Sequence, residues 1–219
     1  MSDEAAARPG RMILVPAIIT FAVTLLRLIG ELSGWSPALF NKEAGGGGSL
    51  VGITWLVPVF GAYFGWSLAK RGAPPGAVGR ALGFALLACL LLPAAGLAAI
   101  RVGGLNPQGF AIFGVFVVVS LVALAIGYRA WPALGRVLVQ YALAARLPVL
   151  AVMLVAMLAN WGTHYDVAAP GLPPMSPLVK WLVIGVVPQL TIWIWFTVAV
   201  GALFGIAAGA IASRRAAAA

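Results

Sequence analysis

RVLVQYALAARLPVLAVMLVAMLANWGTHYD, residues 136–166, is the stretch that decides the class of fold. Up to residue 159 it is an apolar run long enough to cross a hydrocarbon core of roughly 30 Å, broken by Arg146 and Pro148. It then turns into a polar, aromatic loop over 160–166 that holds the only His of the chain, His164, and one of its five acids, Asp166. A charge inside so apolar a run is expensive, which makes Arg146 and the loop beyond it the two places where chemistry is concentrated.

The rest of the chain repeats this pattern. Its 219 residues are 63% hydrophobic and 9% charged, with a mean hydropathy of +1.05, whereas soluble domains carry roughly a quarter charged residues. The composition therefore predicts an all-α integral membrane protein. The net charge of +9 does not point to nucleic acid, because the basic residues sit at the ends of apolar runs and form no basic face. Cys89 is alone, so there is neither a disulfide framework nor a cysteine metal set. Eleven Arg against three Lys, with abundant Ala and Gly, points to a GC-rich bacterial genome and so to a bacterial inner (plasma) membrane.

Reading outward from 136–159 gives six spans, over about 12–30, 50–69, 78–100, 109–127, 136–159 and 186–212, as a single bundle between polar tails at 1–11 and 213–219. The first run is read as a span and not a cleaved leader, because Arg27 and Glu31 occupy the place of a small-residue cleavage site. The loop that follows contains the low-complexity run GGGGS at 45–49. The last apolar run, 177–212, would be roughly 54 Å long as one helix and must break. Ser176 is a good N-cap, Pro177 suits a first helical position, and Gly185 and Pro188 supply the break. A short interfacial helix over 177–185 before the sixth span is expected, with one slanted, kinked helix as the alternative.

Charge sets the expected orientation. Arg8, Arg11, Lys70, Arg71, Arg80, Arg129, Arg136, Arg214 and Arg215 fall on one side, against Lys42, Arg101 and Lys180 on the other. Both termini are therefore expected inside. That places Glu31, Glu43, His164 and Asp166 outside.

Two patterns bear on packing. Gly201, Gly205 and Gly209 recur every four residues, as do Gly61 and Gly65, a spacing that lets two helix backbones approach. Prolines 58, 93, 148 and 188 each remove a bond to the carbonyl four residues earlier, on Thr54, Cys89, Ala144 and Ile184, and such carbonyls need donors in lipid. Pairing the prolines of helices two and three with those of five and six fits two inverted halves, a transporter device. The textual match between 55–58 and 145–148 is thin, and helices one and four do not resemble each other.

Six residues are candidates for a ligand site. Arg27 lies roughly 22 Å from the inner edge and Glu31 one turn further on the same face, a spacing that serves an ion pair or a ligand contact. Arg146 is roughly 15 Å deep with no acid at that depth. It reads either as a donor to a freed carbonyl such as that of Cys89, or as the base of an anion or headgroup site. Gln189 falls near the outer surface, so Arg27, Glu31 and Gln189 are expected to share an outer pocket capped by the His164 loop. Arg146 is expected to lean inward, away from that pocket, because helical side chains point toward the N-terminus. His164 and Asp166 alone are too few to hold a metal. No metal, cofactor or catalytic residue is expected: there is no G-x-S-x-G, and the glycine run lacks a following Gly-Lys-Ser/Thr. Trp161 and Tyr165 read as interfacial anchors.

The function expected is binding or transport of a small, anionic solute or lipid headgroup at an outward-facing polar pocket. A non-catalytic membrane subunit or scaffold is the alternative, and a membrane enzyme acting on a lipid or isoprenoid comes third. The partners expected are the lipid bilayer, a small solute or lipid, and a second copy in an oligomer, with nucleic acid excluded.

Overall fold

A computed structural model describes residues 9–46, 49–107 and 109–217. Asp3, Glu4 and Arg8 of the N-terminal tail, and Gly47 and Gly48 of the glycine run, lie outside the described residues. The helices are α1 (Pro9–Leu32), α2 (Leu56–Lys70), α3 (Val78–Arg101), α4 (Phe110–Ala130) and α5 (Pro132–Ala159). A last helical run follows as α6 (Pro177–Lys180), a π-helical stretch (Trp181–Val186), α7 (Val187–Leu190) and α8 (Ile192–Ala217).

Among the described residues, five runs are long and apolar enough to cross a membrane: Gly10–Leu32, Val78–Arg101, Phe110–Ala130, Pro132–Ala159 and Pro177–Ala216. The second expected span does not reach that length. Its helix has 15 residues, about 22 Å at 1.5 Å per residue. The helix starts late because the chain before it is bonded elsewhere. Leu50 and Val51 donate their N–H groups to the carbonyls of Ala38 and Leu39, and the segment stays in bends and turns as far as Trp55. Pro58 consequently sits in the first turn of α2, where its missing N–H leaves nothing unsatisfied, and the Thr54 carbonyl accepts from Val57. The proline pairing between two halves of the chain loses one of its members.

The last run departs from expectation too. Instead of a separate interfacial helix over 177–185, the winding continues for 40 residues as a kinked rod, the alternative reading. The π-helical turn lies where Pro188 has no N–H to offer Ile184, and a widened turn accommodates the lost bond. A break in the regular winding falls at Thr191, between α7 and α8, where φ is −118° and ψ −75°. The Thr191 hydroxyl donates to the Val187 carbonyl at 2.7 Å.

α8 is the central helix, packed on α2, α3, α4 and α5. It runs parallel to α2, with Gly61 beside Gly201 and Gly65 beside Gly205. A Cβ built on Gly61 would lie 2.5 Å from the Gly201 carbonyl oxygen, and one on Gly65 would collide with that of Gly205. Opposite, Leu134 and Leu138 of α5 fill the space left by Gly205 and Gly201. Tyr141 anchors the middle, edge-on to Phe60 and Phe64, with its hydroxyl 2.8 Å from Thr20 Oγ1 of α1. Trp195 ties α8 to α3 by donating Nε1–H to the Ala88 carbonyl at 2.8 Å. Large apolar side chains such as Leu14, Ile18, Leu86, Leu90, Val118 and Leu121 are exposed on the outer faces, an apolar surface that only lipid or a partner would cover.

Candidate functional site

The loops after α1 and α5 meet at one end of the bundle, and Glu31 joins them. Glu31 is completely buried. Its Oε1 accepts from Arg27 Nε at 2.8 Å and faces His164 Nδ1 at 2.5 Å, while Oε2 accepts from the His164 backbone N–H at 2.9 Å. Arg27 also reaches the glycine-containing loop, donating Nη2–H to the carbonyls of Asn41 at 3.1 Å and Gly46 at 3.0 Å. Burial, seconded by the Arg27 charge, holds the His164 pKa below its ordinary value against the opposing pull of Glu31. Against a carboxylate, His164 Nδ1 is the donor. Arg27, Glu31 and His164 form a clasp in which the guanidinium charge is balanced by the carboxylate.

Asp166 works within its own loop. Its carboxylate accepts from the Gly162 N–H, the Thr163 N–H and the Thr163 hydroxyl at 2.7–2.9 Å, which shapes the turn that presents His164. Tyr165 is not an interfacial anchor. It is buried, and its hydroxyl donates to the Thr24 carbonyl of α1 at 3.1 Å; that burial pushes its pKa up.

Beneath the clasp lies a cavity of about 330 Å³. Gly45, Gly46, His164, Tyr165, Val167, Ala169 and Leu172 line it on the loop side, and residues of α1, α5 and the last helical run line the rest, among them Arg146, Pro188, Gln189 and Trp193. One cavity thus touches Arg27, His164, Arg146 and Gln189, whereas Glu31 and Asp166 stand behind its wall. The expected separation of Arg146 from the outer pocket is not what is seen: it lines the same cavity, with Nη1 3.4 Å from Gln189 Oε1 and the guanidinium 4.7 Å from the centre of the Trp193 ring. Cation–π contact of this kind is worth most in a desolvated setting. Arg146 is only 4% exposed, and its Nε, also buried, has no hydrogen-bond partner. The carbonyl of Cys89 is not among the hydrogen-bond partners of Arg146, although carbonyls freed by proline are natural acceptors for a buried cation.

Several contributors to this site carry no mark in the sequence. The Asn41 and Gly46 carbonyls are backbone groups, and Ile53 and Gly52 enter the cavity from a segment expected to be helical. Trp193 was readable only as one of eight tryptophans. Its spacing of four from Gln189 is the signal that places both on one helical face.

The five long apolar helices are those of a multi-pass membrane protein, here with a cationic cavity between its helices. Comparison with known protein families, curated proteins and solved structures gives no match.

Proposed function

We propose that the protein binds, and in doing so transports or senses, a small anionic solute or lipid headgroup in the cavity that ends on Arg146. The supporting observation is the Arg146 guanidinium, buried in a cavity wall with an unpartnered Nε. Buried polar groups are nearly always hydrogen-bonded, so a cavity-lining guanidinium with an unpartnered nitrogen is a cation with donor capacity left for an acceptor from outside the chain.

The test separates charge from geometry. Arg146→Lys keeps the charge but loses the planar fork, so it is expected to remain folded while an anion that raises the wild-type melting temperature binds about tenfold or more weakly, the worth of one charge-assisted hydrogen bond. Melting curves with organic anions, phosphates and lipid headgroups would read this. A Lys variant that melts early, with no anion shifting either protein, would remove the anion site and favour the second reading, a membrane subunit without a ligand. That second reading draws its support from Arg27, whose charge is already balanced inside the fold.

The proposal includes a topology: α2 is a sixth, short span, both termini face inside, and the cavity mouth opens outside, in a bacterial inner membrane. Under this topology Arg11, Lys70, Arg71, Arg80, Arg129, Arg136, Arg214 and Arg215 fall on the inner side, as the positive-inside rule asks. In a Cys89→Ala background, cysteines at the exposed positions Lys42 and Pro170 are expected to react with an impermeant thiol reagent applied outside, and cysteines at Arg71 and Ala216 only after permeabilisation. The reverse pattern would overturn the orientation.

A further inference from the structure

Resting on the anion-binding reading above, we infer that the ligand is a hydrophobic monoanion, a free organic carboxylate of about ten non-hydrogen atoms. The charge follows from an inventory of acids. Of the five in the chain, Asp3 and Glu4 lie outside the described residues. Glu31 is committed to Arg27 and His164, Asp166 is saturated by its own loop, and Glu43 is exposed at the surface. None of the described acids answers Arg146. Arg27 is neutralised by Glu31, which leaves Arg146 as the buried permanent charge of the cavity wall without a carboxylate beside it among the described residues. A monoanion cancels it, and a dianion would bring a second buried charge with no counterion.

Two donors of cavity-lining residues are short of good acceptors. Arg146 Nε is unpartnered, and Gln189 Nε2 has only the Met153 sulfur at 3.7 Å, a weak acceptor that a carboxylate oxygen outcompetes. The rest of the wall calls for a hydrocarbon body: Val23, Ile53, Val149, Met153, Leu172 and Ile184 line the space. A cavity of about 330 Å³, at about 30 Å³ for a molecule the size of water, holds about ten heavy atoms. A straight-chain eight-carbon acid is of that size.

The experiment uses the full-length protein in phosphatidylcholine nanodiscs and four probes: octanoate, 1-octanol, octanedioate and inorganic phosphate. Octanoate is expected to raise the melting temperature with a saturable dependence on concentration, and the other three are expected not to. In Arg146→Gln the octanoate response should weaken about tenfold or more. Should that variant fail to fold, Ile53→Trp, which fills the cavity and leaves Arg146 in place, is expected to abolish the octanoate shift. An equal shift in wild type and in the folded variants means a membrane effect and overturns the inference. A stronger, Arg146-dependent response to octanedioate or phosphate leaves the anion site standing and overturns the monocarboxylate. Stabilisation by phosphatidylglycerol nanodiscs that also suppresses the octanoate response assigns the site to a headgroup and overturns the free acid. If no anion acts at all, both the inference and the reading beneath it fall.

Discussion

Gly65→Ala is expected to destabilise the protein more than any other single methyl addition in the bundle. The new Cβ collides with the carbonyl oxygen of Gly205, and the atoms next nearest to it are Gly205 backbone as well. A flexible side chain can swing away from an intruder, whereas a helix backbone moves only as a rod. The two rods must separate, and the neighbouring contacts at Gly61 and Gly209 open with them. Overpacking costs about 1–3 kcal/mol and occasionally more, and the upper part of that range is expected because both partners are backbone. Gly83→Ala is the control: it lies in the exposed part of α3, and a Cβ there meets nothing within 4 Å. Its change is expected to be stabilising, by about 0.4–1 kcal/mol, because the unfolded chain loses freedom at no steric cost. Melting temperatures in one detergent would compare the two. Equal tolerance would mean that α2 and α8 do not touch along their glycines.

The class of fold was legible because it rests on amounts: enough apolar length between clusters of charge to cross a membrane. The boundaries that failed did so where tertiary structure overrode local pattern. Residues 50–55 look like the start of a span, yet Leu50 and Val51 bond back to Ala38 and Leu39. No composition rule reports a backbone pairing between two loops. Over 177–217, Gly185 and Pro188 rightly signal a disruption, but a proline can be absorbed by a π-helical turn as well as by a chain break, and the choice depends on neighbours such as Leu150, whose carbonyl receives the Trp181 indole N–H.

The site was legible as a set of charges and illegible as a shape. Arg27, Glu31, Arg146 and Gln189 stand out because polar residues in apolar runs are few. Their division of labour was not readable. Arg27 is neutralised by a carboxylate one turn away, which the spacing of four anticipates. The His164 ring that shares this carboxylate comes from a loop 133 residues further on, and depth in the membrane was the only link between them. Arg146 differs from Arg27 by what is absent: Glu31 sits four residues after Arg27, and at 150 stands Leu150.

Glu31→Gln is expected to loosen the clasp with an effect about as large as any polar substitution here. The carboxylate receives three hydrogen bonds and is fully buried. Gln preserves the volume but offers one acceptor oxygen, so its NH₂ must face either the His164 backbone N–H or the pair of donors now on Oε1, and donors do not satisfy donors. The Arg27 charge meanwhile loses its counterion. Removing one member of a buried pair costs about 3–5 kcal/mol. Because His164 and its loop are held to α1 through this carboxylate, the loss is expected to appear locally before it appears globally, as faster hydrogen exchange over 160–167 and over 41–46. The double variant Arg27→Met/Glu31→Met separates charge from packing. With both charges gone, no uncompensated ion remains, and replacing a buried pair by apolar groups of similar volume is often close to neutral. Part of the stability should return while the two loops stay loosened, since the bonds to Asn41, Gly46 and His164 go with the charges. A single Glu31→Gln variant that melts with wild type and protects both loops equally would show that the clasp does not hold them, and the mouth of the cavity would need another explanation.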